Sequence, residues 1–408
     1  MSFFPTSLQY MLRSLHHREF RLYFSAQAIS VIGTWMQNVA QAWLVYRLTG
    51  SSLMLGVTSF AGLAPILLGG LYGGVLADRI SRHRLSVLSH RVAMLQAFAL
   101  GLLTLFDLVE VWQVILFAVI LGTTHALGMP ARHAFISEIV PKQDLTNAIA
   151  LHSTAFNAAR FIGPALAGWI VYIANEGIVF ILNGFTYLFF LLVLRQITPR
   201  LPSNETSGES VKYWIKQGAV YAWQHKNIRA ALLMVAMAGL VGTPYAVLMP
   251  VIADQVFHGG PGTLGMLLGA AGFGSLLGAL ALALRNSAQG LDTVIGFTGL
   301  LAGIALVVFS AVQTLWMAML ILALVGLSLT MLVASSNILI QVIVPDDLRG
   351  RVISLFSVAF IGASPIGNLL AGVLAESIAA TTTVLVYGAI CALLSALYLL
   401  LMPKATEL

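Results

Sequence analysis

Apolar residues run along this chain in blocks of about 20, the length a helix needs to cross the hydrocarbon of a bilayer. Twelve blocks stand out: 20–46, 53–77, 85–106, 112–129, 145–173 and 178–194, then 230–253, 263–284, 293–311, 315–333, 352–375 and 381–401. Between the sixth and seventh lies TPRLPSNETSGES, the one long polar stretch, which has the composition of a linker. KYWIKQGAVYAWQHK follows and sets Val211, Trp214, Ile215, Tyr221 and Ala222 among Lys212, Lys216 and Lys226. That alternation suits a helix lying in the headgroup layer. The expected organisation is an N-terminal six-helix bundle over 1–198, a linker with an interfacial helix over 199–229, and a C-terminal six-helix bundle over 230–408.

The two halves resemble each other. A shift of 204 positions lays Ile139, Val140 and Pro141 on Ile343, Val344 and Pro345, and Leu166, Ala167 and Gly168 on Leu370, Ala371 and Gly372. Between them, Ile149, Leu151, Ser153, Ala155, Phe156, Ala159, Ile162 and Gly163 meet identical residues without a gap. Six helices in each half make the repeats parallel, an arrangement that places a substrate site between them near the bilayer midplane.

Composition agrees: 59% of the 408 residues are hydrophobic and 9% charged, against about 25% charged in an ordinary soluble domain. The expected class is all-α and polytopic. The formal charge of +6 does not call for nucleic acid. All 21 Lys and Arg except Arg47 and Arg160 fall on one side of the twelve-span topology, whereas Asp107, Glu110, Glu176, Asp254 and Glu376 sit on the other. Positive loops are retained in the cytoplasm, so both termini are expected there. The N-terminal stretch has no short apolar core with a small-residue cleavage site, and the first span is expected to be an uncleaved anchor. Cys391 stands alone, which excludes an internal disulfide and a thiolate metal cage.

A basic block, GGVLADRISRHR at 73–84, closes the second span. Gly69, Gly70, Gly73 and Gly74 form overlapping small-xxx-small pairs that let a partner helix approach. Asp78 at the helix end either pairs with arginines and a facing helix N-terminus as a latch, or belongs to a solvated loop whose arginines set topology. The block resembles the loop between spans two and three of the major facilitator superfamily, G-x-L-A-D-R-x-G-R-R/K, through Gly74, Leu76, Ala77, Asp78, Arg79 and Arg82. Ser81 replaces the second glycine. PARHAFISEIVP, RFIGPALAG and IVPDDLRGRVISLFS are similar to the bacterial exporter branch that includes enterobactin and macrolide efflux proteins. The resemblance implies two six-helix bundles, a cytoplasmic gate at Gly74, Asp78, Arg79, Arg82 and Arg132, a bacterial inner-membrane location, and function as a monomer.

Candidate cavity residues come from polar groups inside spans. Gln27, Ser30, Thr34, Asn38 and Gln41 recur at helical spacing on one face, fit for lining a substrate path or for interhelical hydrogen bonds. Arg160 is the one cation in a span interior. It meets an anionic substrate group or holds the bend at Gly163 and Pro164. His125, expected at the same depth, either carries a coupling proton or is a hydrogen-bonded lining residue. Asn157, Thr243, Tyr245, Ser336 and Asn337 complete the list, and Trp35, Trp43, Phe156, Phe161 and Tyr245 suit a bulky, partly aromatic solute.

No G-x-x-x-x-G-K-[ST] loop is present, so the energy source is expected to be a gradient and not a nucleotide. No catalytic residue, cofactor or metal site is expected. The function that follows is a secondary transporter, not an enzyme, exporting a small organic solute such as a siderophore or hydrophobic drug by alternating access with a coupling proton. A lysophospholipid or lipid carrier on the same fold is the alternative, and a non-transporting sensor or scaffold another.

Overall fold

Arg18–Thr49 forms the first long helix, α1, followed by α2 (Ser52–Arg79), α3 (Arg82–Leu105), α4 (Val111–Ile139), α5 (Leu145–Ile173) and α6 (Glu176–Leu194) in the computed structural model. A short helix α7 (Val211–Gln224) leads into α8 (Lys226–Met237) and α9 (Met249–Gln255), then α10 (Pro261–Ala283), α11 (Leu291–Phe309), α12 (Leu315–Ile343), α13 (Asp346–Ile378) and α14 (Ala380–Leu401). The structure describes residues 12–79, 82–197, 211–285, 287 and 289–401, without side chains at 69–79, 82, 129–131, 133–134, 211–216 and 347. The candidate gate side chains of Gly74, Asp78, Arg79 and Arg82 therefore lie outside the described residues. Among those described there is no strand.

Among the described residues, ten helical segments are long and apolar enough to cross a membrane. Two further rods fall short of that measure for different reasons. In α2 the described apolar part is Ser52–Leu68, and α1 carries the polar row from Gln27 to Gln41. Several helices outrun the apolar blocks at the basic end of the molecule: α4 continues to Ile139, α12 to Ile343, and α13 starts at Asp346. Helical hydrogen bonding carries on past the point where side chains stop being apolar, because the backbone ladder is indifferent to that boundary.

The seventh block is not one helix. After Met237 the chain makes a π turn over Ala238–Gly242, then a 3₁₀ turn over Pro244–Leu248. The cause is local: Pro244 has no N–H for the Leu240 carbonyl, and Thr243 N–H reaches back to Ala238 O at 2.8 Å instead. Gly367 of α13 lies against the freed Leu240 carbonyl, where a side chain would collide.

The internal repeat has a counterpart in packing. Gly122 of α4 lies on the Gly62 carbonyl of α2, and Gly326 of α12 on the Ala271 carbonyl of α10. Gly101 and Gly177 join α3 to α6 as Gly303 and Gly388 join α11 to α14. The two halves also meet through equivalent crossings. A methyl on Gly168 of α5 would lie 2.7 Å from Gly265 Cα of α10, and one on Gly372 of α13 would lie 2.9 Å from Gly56 Cα of α2. Gly168 and Gly372 are partners in the 204-residue shift, so one packing solution is used twice.

Both crossings lie toward the end that carries Asp107, Glu176, Asp254 and Glu376, here called the acidic end. Hydrogen bonds between halves with both partners described are found in the same region. Tyr46 Oη donates to Asp254 at 2.7 Å, Ser51 Oγ and Leu53 N–H donate to Glu376 at 3.1 and 3.0 Å, and Asn368 donates to Ser59 at 2.8 Å. At the opposite, basic end, α7 packs on α13, with Gly218 against Arg351.

Candidate functional site

Gly272 of α10 lies on the Arg160 carbonyl of α5, and from this level the Arg160 side chain reaches toward α1. Its guanidinium carbon stands 5.8 Å from the centre of the Trp35 ring, and Phe156, one turn earlier on α5, meets the same indole edge-on at 5.9 Å. Tyr245, in the 3₁₀ turn after the break in α8, lies within electrostatic range of Arg160 and is buried. Three elements from both halves thus surround one half-buried cation. No carboxylate pairs with it among the described residues, and a cation in a bilayer interior is costly unless it has a partner.

Gly163 and Pro164 do not merely bend α5. Gly163 admits α1, since a methyl there would strike Trp35 Cβ, and Pro164 presents its carbonyl to Gly265 of α10. The chain direction that places Arg160 is set by these two close approaches.

The polar row of α1 divides along its length. Gln27 and Ser30 are buried, and Gln27 Oε1 has no hydrogen-bond partner. Thr34 shares a 2.9 Å hydrogen bond with Tyr187 of α6. Asn38 is exposed, while Gln41 is half-buried with Oε1 unpartnered. Beside the row runs a network that periodicity alone does not single out. Asn183 donates to Gln37 Oε1 at 2.6 Å, Gln37 donates to Gln96 at 3.0 Å, and Thr186 donates to Asn183 at 2.9 Å. Its signal in the sequence is a glutamine or asparagine in each of three separate apolar blocks, each needing a partner away from lipid.

His125 is half-buried on α4, and its electrostatic neighbour is Arg132 of the same helix. His90, Tyr23 and Tyr187 lie in range of Arg132 too, and Tyr23 Oη donates to the Arg132 carbonyl at 3.5 Å. His90 stacks on Phe190 with centroids 4.1 Å apart. The two histidines and Arg132 form one cluster among α3 and α4, walled by aromatics. Arg160 belongs to a separate cluster on α1, α5 and the broken segment.

In the other half, Thr243 caps the π turn through Gly239 O at 3.4 Å, and Ser336 is buried and donates to Leu332 O at 2.8 Å. Asn337 accepts from Gln341 one turn on. Asn157 donates to Ser153 O at 2.9 Å along α5. These four bind their own helices and are not drawn into the Arg160 cluster by any hydrogen bond. Among the described residues no group of three His, Cys, Asp or Glu side chains is placed to hold a metal.

The sequence pattern of a family described as transmembrane secretion effector matches residues 11–407. The staphyloferrin A transporter of Staphylococcus aureus is 25% identical over 372 residues, covering 90% of this chain and 92% of its own. The multidrug efflux pump Tap of Mycolicibacterium fortuitum is 27% identical, covering 85% and 86%, and macrolide efflux protein A of Streptococcus pyogenes 24%, covering 88% and 90%. Among solved structures, an inward-facing, unoccupied bacterial homologue of the human lysosomal transporter Spinster superposes with a TM-score of 0.73 at 15% identity, covering 94% of this chain and 96% of its own. The nucleoside transporter NupG gives 0.70 at 14% identity, covering 94% and 98%.

Proposed function

Because the chain belongs to the transmembrane secretion effector family of the major facilitator superfamily, we propose that it exports a bulky organic solute bearing an anionic group, a siderophore or amphipathic drug in class, by alternating access across the inner membrane. The observation that carries this reading is the Arg160 cluster. A guanidinium without a described acid, flanked by Trp35, Phe156 and Tyr245 where the two halves meet, offers a charge for a carboxylate or similar anion and ring faces for an aromatic body. Relatives named for staphyloferrin, macrolides and multidrug efflux are consistent with that class.

Movement would proceed by rocking. The present form joins the halves at the acidic end, which the distribution of arginines assigns to the outside. Opening outward would break the Tyr46–Asp254 and Glu376 contacts, while the basic end closes near Asp78 and Arg132. His125, beside Arg132, is the group proposed to carry a coupling proton.

The test is transport in proteoliposomes with a panel of carboxylate siderophores and macrolides, with and without a pH gradient. A hydrogen-bonded charge contributes about 1.5–3 kcal/mol, so Arg160→Gln is expected to weaken apparent affinity for an anionic solute about 10- to 100-fold, with Arg160→Lys in between. Equal transport by Arg160→Gln would remove the cluster from the solute path, and transport of nothing by the wild type would point to a sensor or scaffold. Asp78→Asn is expected to slow transport while the protein still inserts, which membrane fractionation checks.

A further inference from the structure

On the outer wall of the N-terminal half, away from the Arg160 cluster, α3 and α6 leave a groove of about 520 Å³ at the basic end. Its α3 wall is a single helix face, Arg84, Leu88, Arg91 and Leu95, at steps of four, three and four. Its α6 wall ends in Leu192 and Arg195. The leucines are open, with Leu88 56%, Leu95 63% and Leu192 47% exposed. His83 closes the floor by a 3.1 Å hydrogen bond to Leu194 O, tying the two helix ends together.

Arg91 and Arg195 have no explanation within the fold. Arg91 lies about 10 Å further into the span than Arg84, at 1.5 Å rise per residue, on a face whose neighbours are leucines that would touch acyl chains. Neither Arg91 nor Arg195 has an acidic partner among the described residues, and the groove lining contains no carboxylate. A cation on a lipid-facing wall is unfavourable unless its head meets water or an anion at the interface. The Arg160 site does not use these residues, and topology alone would be served by arginines in the loops.

We propose that this groove is a binding site for an anionic phospholipid of the leaflet at the basic end. The phosphate sits among Arg84, Arg91 and Arg195, and the acyl chains lie along Leu88, Leu95 and Leu192. Charge complementarity selects the occupant: three guanidiniums at graded depth suit a phosphodiester at the interface, and the leucine rows suit chains that continue from it toward the bilayer centre.

The test reconstitutes the full chain in phosphatidylcholine vesicles containing a phosphatidylglycerol that carries a photoactivatable group in one acyl chain. After illumination, labelled peptides are mapped by mass spectrometry. Labelling should concentrate on segments 84–95 and 188–195, and unlabelled phosphatidylglycerol should compete where phosphatidylcholine and inorganic phosphate do not. At about 1 kcal/mol per arginine near an anionic surface, Arg91→Gln raises the competitor fraction needed for half-displacement about fivefold, and Arg91→Lys largely restores it. Arg195→Gln, at the helix end, provides a second variant whose folding does not depend on the span. Equal labelling by the phosphatidylcholine analogue, displacement by inorganic phosphate, or no labelling of these segments would each overturn the proposal. Solute transport is not part of the readout, so the lipid site stands or falls independently of the export reading.

Discussion

Arg160 and Gln37 answer the same physical demand in opposite ways. Both are polar groups placed where lipid gives no hydrogen bonds. Gln37 is fully satisfied by Asn183 and Gln96 inside the N-terminal helices, whereas Arg160 has aromatic faces and no acid. Satisfied groups hold helices together and unsatisfied ones invite a ligand. Gln37→Leu should therefore lower thermal stability, by about 0.6–1.7 kcal/mol for the interhelical hydrogen bonds lost, with little change in solute affinity. Asn38→Leu, one residue on but exposed, should leave the unfolding temperature within a degree or so and lower transport instead. Thermal unfolding in detergent and flux in vesicles separate the two. The sequence row from Gln27 to Gln41 brought both roles into view as one stripe. It could not divide them, because the division depends on which neighbouring helix supplies an asparagine or a tyrosine. Arg160 was legible at once as a cation near the middle of an apolar block, although the sequence left its role between binding an anion and holding the bend. Its partners Trp35 and Tyr245 were visible only as aromatics, because their convergence spans the two halves.

At the scale of helices, apolar block length identified the rods, and Gly and Pro fixed how they touch. The seventh rod is the exception: its composition is apolar throughout, and the π and 3₁₀ turns come from Pro244 and from the room that Gly239 and Gly242 provide. Block length carries no trace of such a break. The broken segment matters because it points Tyr245 at Arg160. Pro244→Ala should restore part of the hydrogen-bond ladder, raise stability slightly and reduce transport, a combination that a purely structural proline would not give. The crossings make a separate prediction. Gly372→Val places a branched side chain 2.9 Å or less from Gly56 Cα and should cost about 1–3 kcal/mol through overpacking. Because the clash lies between halves, much of that cost should appear as a shift toward a form open at the acidic end. Spin labels at positions 49 and 377 would report it as a longer distance; an unchanged distance with a lower unfolding temperature would mean the halves cannot part there.

For the molecule as a whole, two kinds of contact stand out within the extensive packing of α5 on α10 and of α2 on α13. The side-chain clasp at Asp254 and Glu376 is polar and reversible. Tyr46→Phe removes one charged hydrogen bond, worth about 1.5–3 kcal/mol when buried and less at a partly exposed site, and should raise the rate at which a cysteine placed at Ala42 reacts with a membrane-impermeant thiol reagent from the acidic side. A rate equal to wild type would show that the clasp does not limit opening. The second kind, glycine on glycine, holds by proximity of main chains and has no side chain to rearrange. Among the described residues there are two such seats, Gly168 with Gly265 and Gly372 with Gly56, on separate helix pairs and toward one end of the rods. Two bearings define a line, and a body seated on a line keeps one easy motion, rotation about it. On the proposed rocking mechanism, a solute at Arg160 then has to bias only a single coordinate, and the chemistry around Arg160 can change without altering that coordinate.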